Sequence, residues 1–429
     1  MEGGKLLGTG SSSCVFSPNI PCKKNGEVSD ERVSKLLYHE DSKKLSKYEK
    51  DQASLIKKIK GYKKWGIIYD EFCNAPDSNI VEKYDPEGYL HCFGDDATTP
   101  YLDAQLLNSD NGGNTLKGLF NDMFPYKGLQ GKGEQEILNF FDTNFRKLMK
   151  MFYPLFLGLK EMNKHNIIHN DIKSINITGD KDELKYIDFG LTSKANNIKH
   201  FKKRSISEGN TRRLYYFYPL EYIYFYFDKY DLDFELTMNI KDRRNYGILK
   251  DIYYTMGYNI DEVCDNLYNK LFNSKYKIKD VIKKIDVYGL GIQVPLLFHE
   301  INMSSVFELN NPMINDFYIL FRNMVNPDLN ERLTAEQSYN TYMKLMKKHN
   351  ISIKETKRTR RAARRATPRR TARRATPRRA TRRAARRATP RRATPRRAAR
   401  RATRRATRRA TRRVTPRRAV RKRTTKRRV

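Results

Sequence analysis

From Lys357 to Val429 the chain carries 36 Lys+Arg and not one Asp or Glu. RRAT, RRAA and TPRR recur there at four- and five-residue intervals, with no aromatic and hardly an aliphatic side chain beyond Ala. Such a segment cannot bury enough apolar surface to offset the entropy of ordering its backbone, and its like charges repel. It is expected to be disordered and extended, so whatever folds must precede it. Setting those cations aside leaves 50 basic against 48 acidic residues in 1–356, a net of +2. The body is therefore a near-neutral chain long enough for a sizeable core, and the overall charge of +38 belongs to one appendage.

Cys14, Cys22, Cys73, Cys92 and Cys264 are odd in number, scattered, and without a C-x-x-C pair. That argues against a disulfide framework or a zinc site and for a reducing compartment. MEGGKLLGTG lacks the apolar core of a secretory leader, and no stretch approaches the ~18 apolar residues of a membrane span. The expectation is a soluble, intracellular protein with no membrane partner.

The pattern of the body changes along its length. Residues 5–18 read as strand, small-residue turn, strand, and Glu31–Tyr38 as a third strand. Leu45–Ile59 turns helical, with Leu55, Ile56 and Ile59 on one face. No strand can be placed in the polar stretch 70–105, whereas AQLLN at 104–108 is a short apolar strand running into SDNGGN. Beyond it, 135–165, 279–299 and 312–346 carry helical periodicity, and short apolar runs stand at 167–168 and 184–187. Strands first and helices afterwards predict an α+β, two-lobe arrangement.

The chemistry concentrates in HNDIKSIN at 169–176, followed by DFG at 188–190. Phosphoryl transfer asks little covalent work of a protein. It needs a carboxylate to receive the proton of the attacking hydroxyl, oxygen ligands for Mg²⁺, and positive charge on the migrating group. An aspartate on a loop, an asparagine five residues on and an aspartate after the next strand supply the first two. The spacing resembles the H-R-D-x-x-x-x-N and D-F-G signature of eukaryotic-type serine/threonine protein kinases.

That resemblance covers roughly 1–350 and implies ATP and Mg²⁺ as cofactors and a protein as substrate. It implies an N-lobe over 1–107 and a hinge and C-lobe over 108–350, followed by the tail at 357–429. By the match, Asp171 is the catalytic base, Lys173 steadies the γ-phosphate, and Asn176 and Asp188 hold the metal. Gly8, Gly10, Ser13 and Val15 resemble the glycine-rich loop over the phosphates, serine replacing the third glycine; a Cβ at the glycines would obstruct the approach of backbone N–H to phosphate. Lys35 resembles the third-strand lysine. For its helical carboxylate partner, alignment of the apolar positions puts Gln52 where glutamate is expected, with Glu49 one turn earlier; Glu49 is preferred. Leu107 resembles the gatekeeper and Asn108 to Asn111 the hinge that receives adenine. DVYGLG at 286–291 and Tyr218-Pro219-Leu220-Glu221 resemble two structural motifs, with Asp286 and an expected Glu221–Arg332 pair as supports. Asn170 replaces the usual arginine, which puts activation by loop phosphorylation in doubt. Ile175 replaces a glutamate that serves preference for basic substrates. Alternatively, the domain is a pseudokinase that only presents the tail.

The glycine loop with its CVFSP continuation and Cys22, together with HND, resembles the divergent kinases of large DNA viruses, which implies a host nucleus, viral replication site or virion. Densely spaced arginines neutralise phosphates and release counterions, so the tail is expected to bind nucleic acid. Five TPRR motifs resemble the repeats of linker histones and protamines. Nine threonines stand in R-R-x-T, where phosphate would subtract charge.

Overall fold

The apolar-small alternation of KLLGT and SCVFS pairs two strands, β1 (Lys5–Thr9) and β2 (Ser13–Ser17), around the glycine-serine turn. β3 (Arg32–Leu37) follows, then helix α1 (Ser42–Lys57), β4 (Glu71–Asn74) and β5 (Gln105–Asp110). The strands form one antiparallel sheet in the order β1-β2-β3-β5-β4. This computed structural model describes residues 4–353 apart from 11–12, 23–26, 39–40, most of 77–102, 126–128, 130, 181, 211–214, 224–244 and 273–275. The chain divides into two units, 1–356 and 357–429; the second, with the disorder and contacts expected of it, lies outside the described residues.

Register fixes what each face of the sheet presents, because side chains alternate between faces. Val15, Lys35, Leu107 and Phe72 stand opposite one another across four strands. The rows on either side, Cys14, Leu36, Leu106 and Cys73, then Phe16, Ser34, Asn108 and Glu71, point the other way. Cys14, Phe16, Leu36 and Leu106 are fully buried there, under Ile20, Cys92 and Ala104. On α1, Glu49, Gln52, Ala53 and Ile56 form the buried face at helical spacing.

After α1 a short turn delivers Trp65 into the core of the following helical region. Its fit is close: a Cβ on Gly158 would lie 2.9 Å from the indole. Gly66 bridges Tyr186, and Ile67 N–H donates to the Tyr186 carbonyl at 3.0 Å, so backbone ties join the sheet region to the helical one.

The helical region opens with β6 (Asn114–Thr115) and α2 (Leu116–Met123), whose N-cap Thr115 accepts from Gly118 N–H. α3 (Glu134–Met151) and α4 (Tyr153–Lys164) replace the single helical stretch expected over 135–165; Pro154 opens the second, where its missing N–H costs nothing. β7 (Ile167–Ile168), β8 (Ile177–Gly179), β9 (Leu184–Tyr186) and β10 (Ser193–Lys194) form small sheets, β6-β8-β9 and β10-β7, that frame the 169–192 segment. α5 (Ile198–Asn210), a single turn at Leu220–Ile223, α6 (Tyr246–Thr255) and α7 (Ile260–Phe272) follow. Then come α8 (Ile278–Gly291), α9 (Gln293–Glu300), α10 (Pro312–Met324) and α11 (Ala335–Lys348). α8 is buried almost all round from Val281 to Gly291, as a central helix must be. Asn311 caps α10 and Thr334 with Gln337 forms a capping box on α11, so the expected 312–346 helix is two helices with separate starts.

The cysteines correct the sequence reading. Cys14 is bonded to Cys92 and Cys22 to Cys73, leaving only the buried Cys264 as a thiol. The pairs are 78 and 51 residues apart, and only the sheet brings them together. An odd count and scattered positions accommodate two bridges and a core thiol equally well. The inference of a reducing compartment falls with it, since such bridges persist in oxidising surroundings. Both fasten chain to the outer face of the sheet. No helix among the described residues is long and apolar enough to cross a membrane.

Peptide mapping without reductant is expected to recover both linkages. The double substitution Cys22→Ser/Cys73→Ser should lower unfolding free energy by about 2–4 kcal/mol in chemical denaturation, the range for releasing a loop of this length.

Candidate active site

Four elements converge beneath the sheet. β3 supplies Lys35, α1 supplies Glu49, and the loops after β7 and β9 supply Asp171 to Asn176 and Asp188. Lys35 Nζ lies 2.8 Å from Glu49 Oε1 and 3.1 Å from Asp188 Oδ1, and 5.7 Å from the Tyr69 ring centroid. Burial works against charge on this lysine, but Asp188, Tyr69 and Glu49 outweigh it and hold its pKa well above the ordinary value. Asp188 is driven up by burial and down further by Lys35, ending below the usual carboxylate range, whereas burial leaves Glu49 above it. Glu49, not Gln52, is thus the partner of Lys35; the Gln52 side-chain oxygen is buried without a partner among the described residues. The phase of α1 decides this, because Glu49 lies one turn nearer its start than the apolar alignment suggested.

Gly190 makes that meeting possible. A Cβ there would come 2.8 Å from Glu49 Oε1, so the glycine after Asp188-Phe189 leaves room for the carboxylate. Asp188 itself is in the left-handed region at φ 56°, a conformation that costs a non-glycine residue energy and aims its carboxylate at Lys35. Phe189 is buried with its ring centroid 4.7 Å from that of His169.

In the loop after β7, Asp171 Oδ2 accepts from Asn176 Nδ2 at 2.7 Å and is 3.0 Å from Lys173 Nζ. Asp171 Oδ1 is buried with no hydrogen-bond partner among the described residues. One oxygen is held in place by two donors and the other by none. Asn176 Nδ2 also donates to the Asp171 carbonyl at 3.0 Å. Only an NH₂ group can serve two acceptors, so the amide oxygen must point away from Asp171. With the Asp188 carboxylate this is an all-oxygen donor pair, which suits Mg²⁺ completed by phosphate and water oxygens rather than a dedicated cage. No cluster of three or more His, Cys, Asp or Glu that could hold a metal occurs among the described residues.

The loop is anchored from below. Asp286 of α8 accepts from the backbone N–H of His169 at 2.6 Å and of Asn170 at 2.9 Å, and His169 Nε2 meets the Ile187 carbonyl at 3.1 Å. Burial raises the Asp286 pKa, and His169 and the two backbone donors pull it back. Asn170, where an arginine was expected from the resemblance, is buried at φ 62°, and its carbonyl accepts from Tyr218 Oη at 2.7 Å. Arg204 Nε of α5 donates in turn to Tyr218 Oη at 3.4 Å. Glu221 and Arg332 form a fully buried ion pair, with Arg332 Nε also donating to the Asn326 carbonyl at 2.9 Å.

The residues expected to face a nucleotide are arranged less uniformly. Gly8 and Gly10 are exposed at the hairpin, and a Cβ on Gly8 would meet nothing within 4 Å, so the space beside it is open. Ser13 is buried, and its carbonyl accepts from Gly10 N–H at 2.7 Å. Val15 and Leu107 flank Lys35 in the cross-strand row. Asn108 turns its side chain to the opposite face, where it bonds Ser34 at 2.6 Å and Glu71 at 2.8 Å, and its carbonyl accepts from Asp70 N–H. Pairing of β5 with β3 continues to Asp110, two residues beyond the expected strand end. Sequence reading missed Tyr69 and Phe72, which lie in the stretch where no strand could be placed. It also gave no role to Tyr218 beyond motif membership or to Phe217, whose ring centroid lies 5.4 Å from Lys173 Nζ.

A sheet-rich lobe with one helix, a helix-rich lobe, and a buried site where a sheet lysine meets a helix carboxylate and a loop aspartate define the two-lobe protein kinase fold. No protein-family model matches the chain, and no curated protein matches it. Among solved structures it is similar to a kinase domain of a rhoptry antigen from Toxoplasma gondii, at 10% identity and TM-score 0.47 over 81% of each chain.

Removing one partner of a buried ion pair strands the other charge. Arg332→Met is expected to destabilise the protein by about 3–5 kcal/mol, and Glu221→Gln added to it should recover part of that loss, both read from urea midpoints.

Proposed function

We propose that the protein is a serine/threonine protein kinase that transfers the γ-phosphoryl group of ATP to a protein hydroxyl. The observation that carries this reading is the meeting of Lys35, Glu49 and Asp188, together with a loop that holds Asp171 with one oxygen unpartnered among the described residues. Gly8, Gly10 and Ser13 cover the phosphates, and Val15 and Leu107 border the adenine. Lys35, kept cationic by its two carboxylates, binds the α- and β-phosphates. Asn176 and Asp188 would hold Mg²⁺, which supplies charge neutralisation along the phosphates.

Asp171 orients the acceptor hydroxyl. As the new O–P bond forms, Asp171 Oδ1 receives the hydroxyl proton, while the bond from the γ-phosphorus to the bridging oxygen breaks and ADP leaves. Lys173, 3.0 Å from Asp171, balances charge on the migrating group. The lysine two residues after the base, by its resemblance to serine/threonine kinases, supports an aliphatic hydroxyl as acceptor.

The arginine repeats of 357–429 support binding to nucleic acid, independent of sequence and sensitive to salt. The motif resemblance to kinases of large DNA viruses fits a polypeptide that brings phosphoryl transfer to packaged or replicating DNA.

With radiolabelled ATP and Mg²⁺, Asp171→Asn is expected to lower transfer to a generic protein substrate by about 10²–10⁴-fold. Glu49→Gln should lower kcat/KM by about 10²-fold while Gln52→Ala stays within about threefold. Equal incorporation by wild type and Asp171→Asn would end the enzymatic reading. Deleting 357–429 is expected to abolish retention on DNA cellulose at moderate salt and to leave transfer to the generic substrate intact.

A further inference from the structure

The segment that carries Asp171 also carries three isoleucines, and their surroundings differ. Ile172 and Ile177 are buried, whereas Ile175 between them is 53% exposed. A single exposed aliphatic side chain is ordinary on a protein surface. This one is held at a fixed distance from a reactive carboxylate.

Ser174–Asn176 form a short helical turn, closed by Asn176 N–H donating to the Lys173 carbonyl at 2.9 Å. Asn176 Nδ2 donates to Asp171 Oδ2 at 2.7 Å, which ties the residue next to Ile175 to the carboxylate itself. β6 and α2 pack against the turn, and Lys173 Nζ just before it lies 5.4 Å from the Phe217 ring centroid. Neighbouring Cα atoms are about 3.8 Å apart, and an extended peptide advances about 3.3 Å per residue. A peptide whose hydroxyl reaches Asp171 Oδ1 therefore brings the residues about two or three places from its acceptor to Ile175.

The charges around the turn give no reason for a cation to bind there. Residues 111–121, which lead into α2 and form most of it, contain Lys117 and no acid. Lys117 holds Glu300 at 3.1 Å, and Asp171 has Lys173 at 3.0 Å. Asp122, exposed near the end of α2, is the one acid of that helix. Beside Ile175 an incoming guanidinium meets an apolar side chain where it needs a carboxylate, whereas an aliphatic side chain gains by leaving water.

We propose that Ile175 is a specificity-determining residue: it selects substrate segments with a leucine or isoleucine within about three residues of the acceptor hydroxyl and disfavours acceptors flanked by arginine. The proposal rests on the kinase reading above and names its substrate class. It has a consequence for the tail sequence. Eight of its nine R-R-x-T threonines have only Ala, Arg and Pro within two residues, the exception being Thr415 beside Val414. Those eight are poor acceptors for this chain, so the repeats keep their full positive charge while the folded body phosphorylates other proteins.

The test is transfer of radiolabelled phosphate from Mg-ATP to synthetic peptides by the full chain. Each peptide carries one threonine in an alanine-glycine background, with leucine or arginine placed singly at successive positions on either side. At the best position leucine is expected to raise kcat/KM about fivefold or more over alanine, the gain from covering a half-exposed isoleucine. Arginine should raise it by less than about twofold at every position. Ile175→Leu should keep the leucine gain, and Ile175→Glu should abolish it and raise transfer to R-R-A-T peptides about fivefold or more. Mass spectrometry of the wild-type chain after incubation with Mg-ATP should find the eight R-R-A-T threonines unmodified. A wild-type preference for arginine peptides, or a leucine gain that survives Ile175→Glu, overturns the proposal. Wild type that labels a generic protein but treats all peptides alike overturns it and leaves the kinase reading standing. Absence of labelling on every protein and peptide overturns both.

Discussion

The structure depends on a buried cation. Lys35 sits in a sheet row with apolar neighbours on both sides, a place where an ammonium group survives only with compensating charge. Glu49 and Asp188 provide it from different parts of the chain, so the ion triad can exist only when sheet, helix and loop are all in position. Gly190, Phe189 and the strained backbone of Asp188 serve that arrangement. The meeting of sheet, helix and loop follows from satisfying one lysine.

A second layer of polar anchors sets the position of the lower loop. Asp286 holds two consecutive backbone N–H groups from α8, and Tyr218 holds the carbonyl of the same Asn170 from the segment beyond α5. A neutral phenol, backed by Arg204, thereby fixes the residue preceding Asp171. Asn170 stands where the resemblance led to an expectation of arginine, and its carbonyl is held by a direct bond from the Tyr218 hydroxyl. Sequence comparison alone shows the substitution but not what takes over its place.

Much of the lower lobe was legible because its residues act through short, fixed spacings. Asp171, Asn176 and Asp188 lie on one loop-strand-loop unit, so their order in sequence is close to their order in space. The Glu221–Arg332 pair was legible for a different reason: each charge is costly to bury alone, so finding one argued for the other. Glu49 was only half legible, since one helical turn separates it from Gln52 and apolar periodicity does not settle phase that finely. The bridges Cys14–Cys92 and Cys22–Cys73 could not be read, because their spacing depends on strand register. Helix α5 escaped too. Its sequence, IKHFKKRSISEGN, has few apolar residues to mark a buried face.

The covered outer face of the small sheet has a consequence for how the lobe is held. Cys14 lies at the foot of the glycine hairpin, and its bond to Cys92 rivets β2 to the chain segment above it. Cys22 and Cys73 clamp the opposite edge at β4. Strands β2 and β4 are thereby tied covalently to chain outside the sheet, on two sides of the row that carries Lys35. The roof above the lysine is thus held by covalent bonds as well as by the strand ladder, and reduction would loosen it without touching the ion triad beneath.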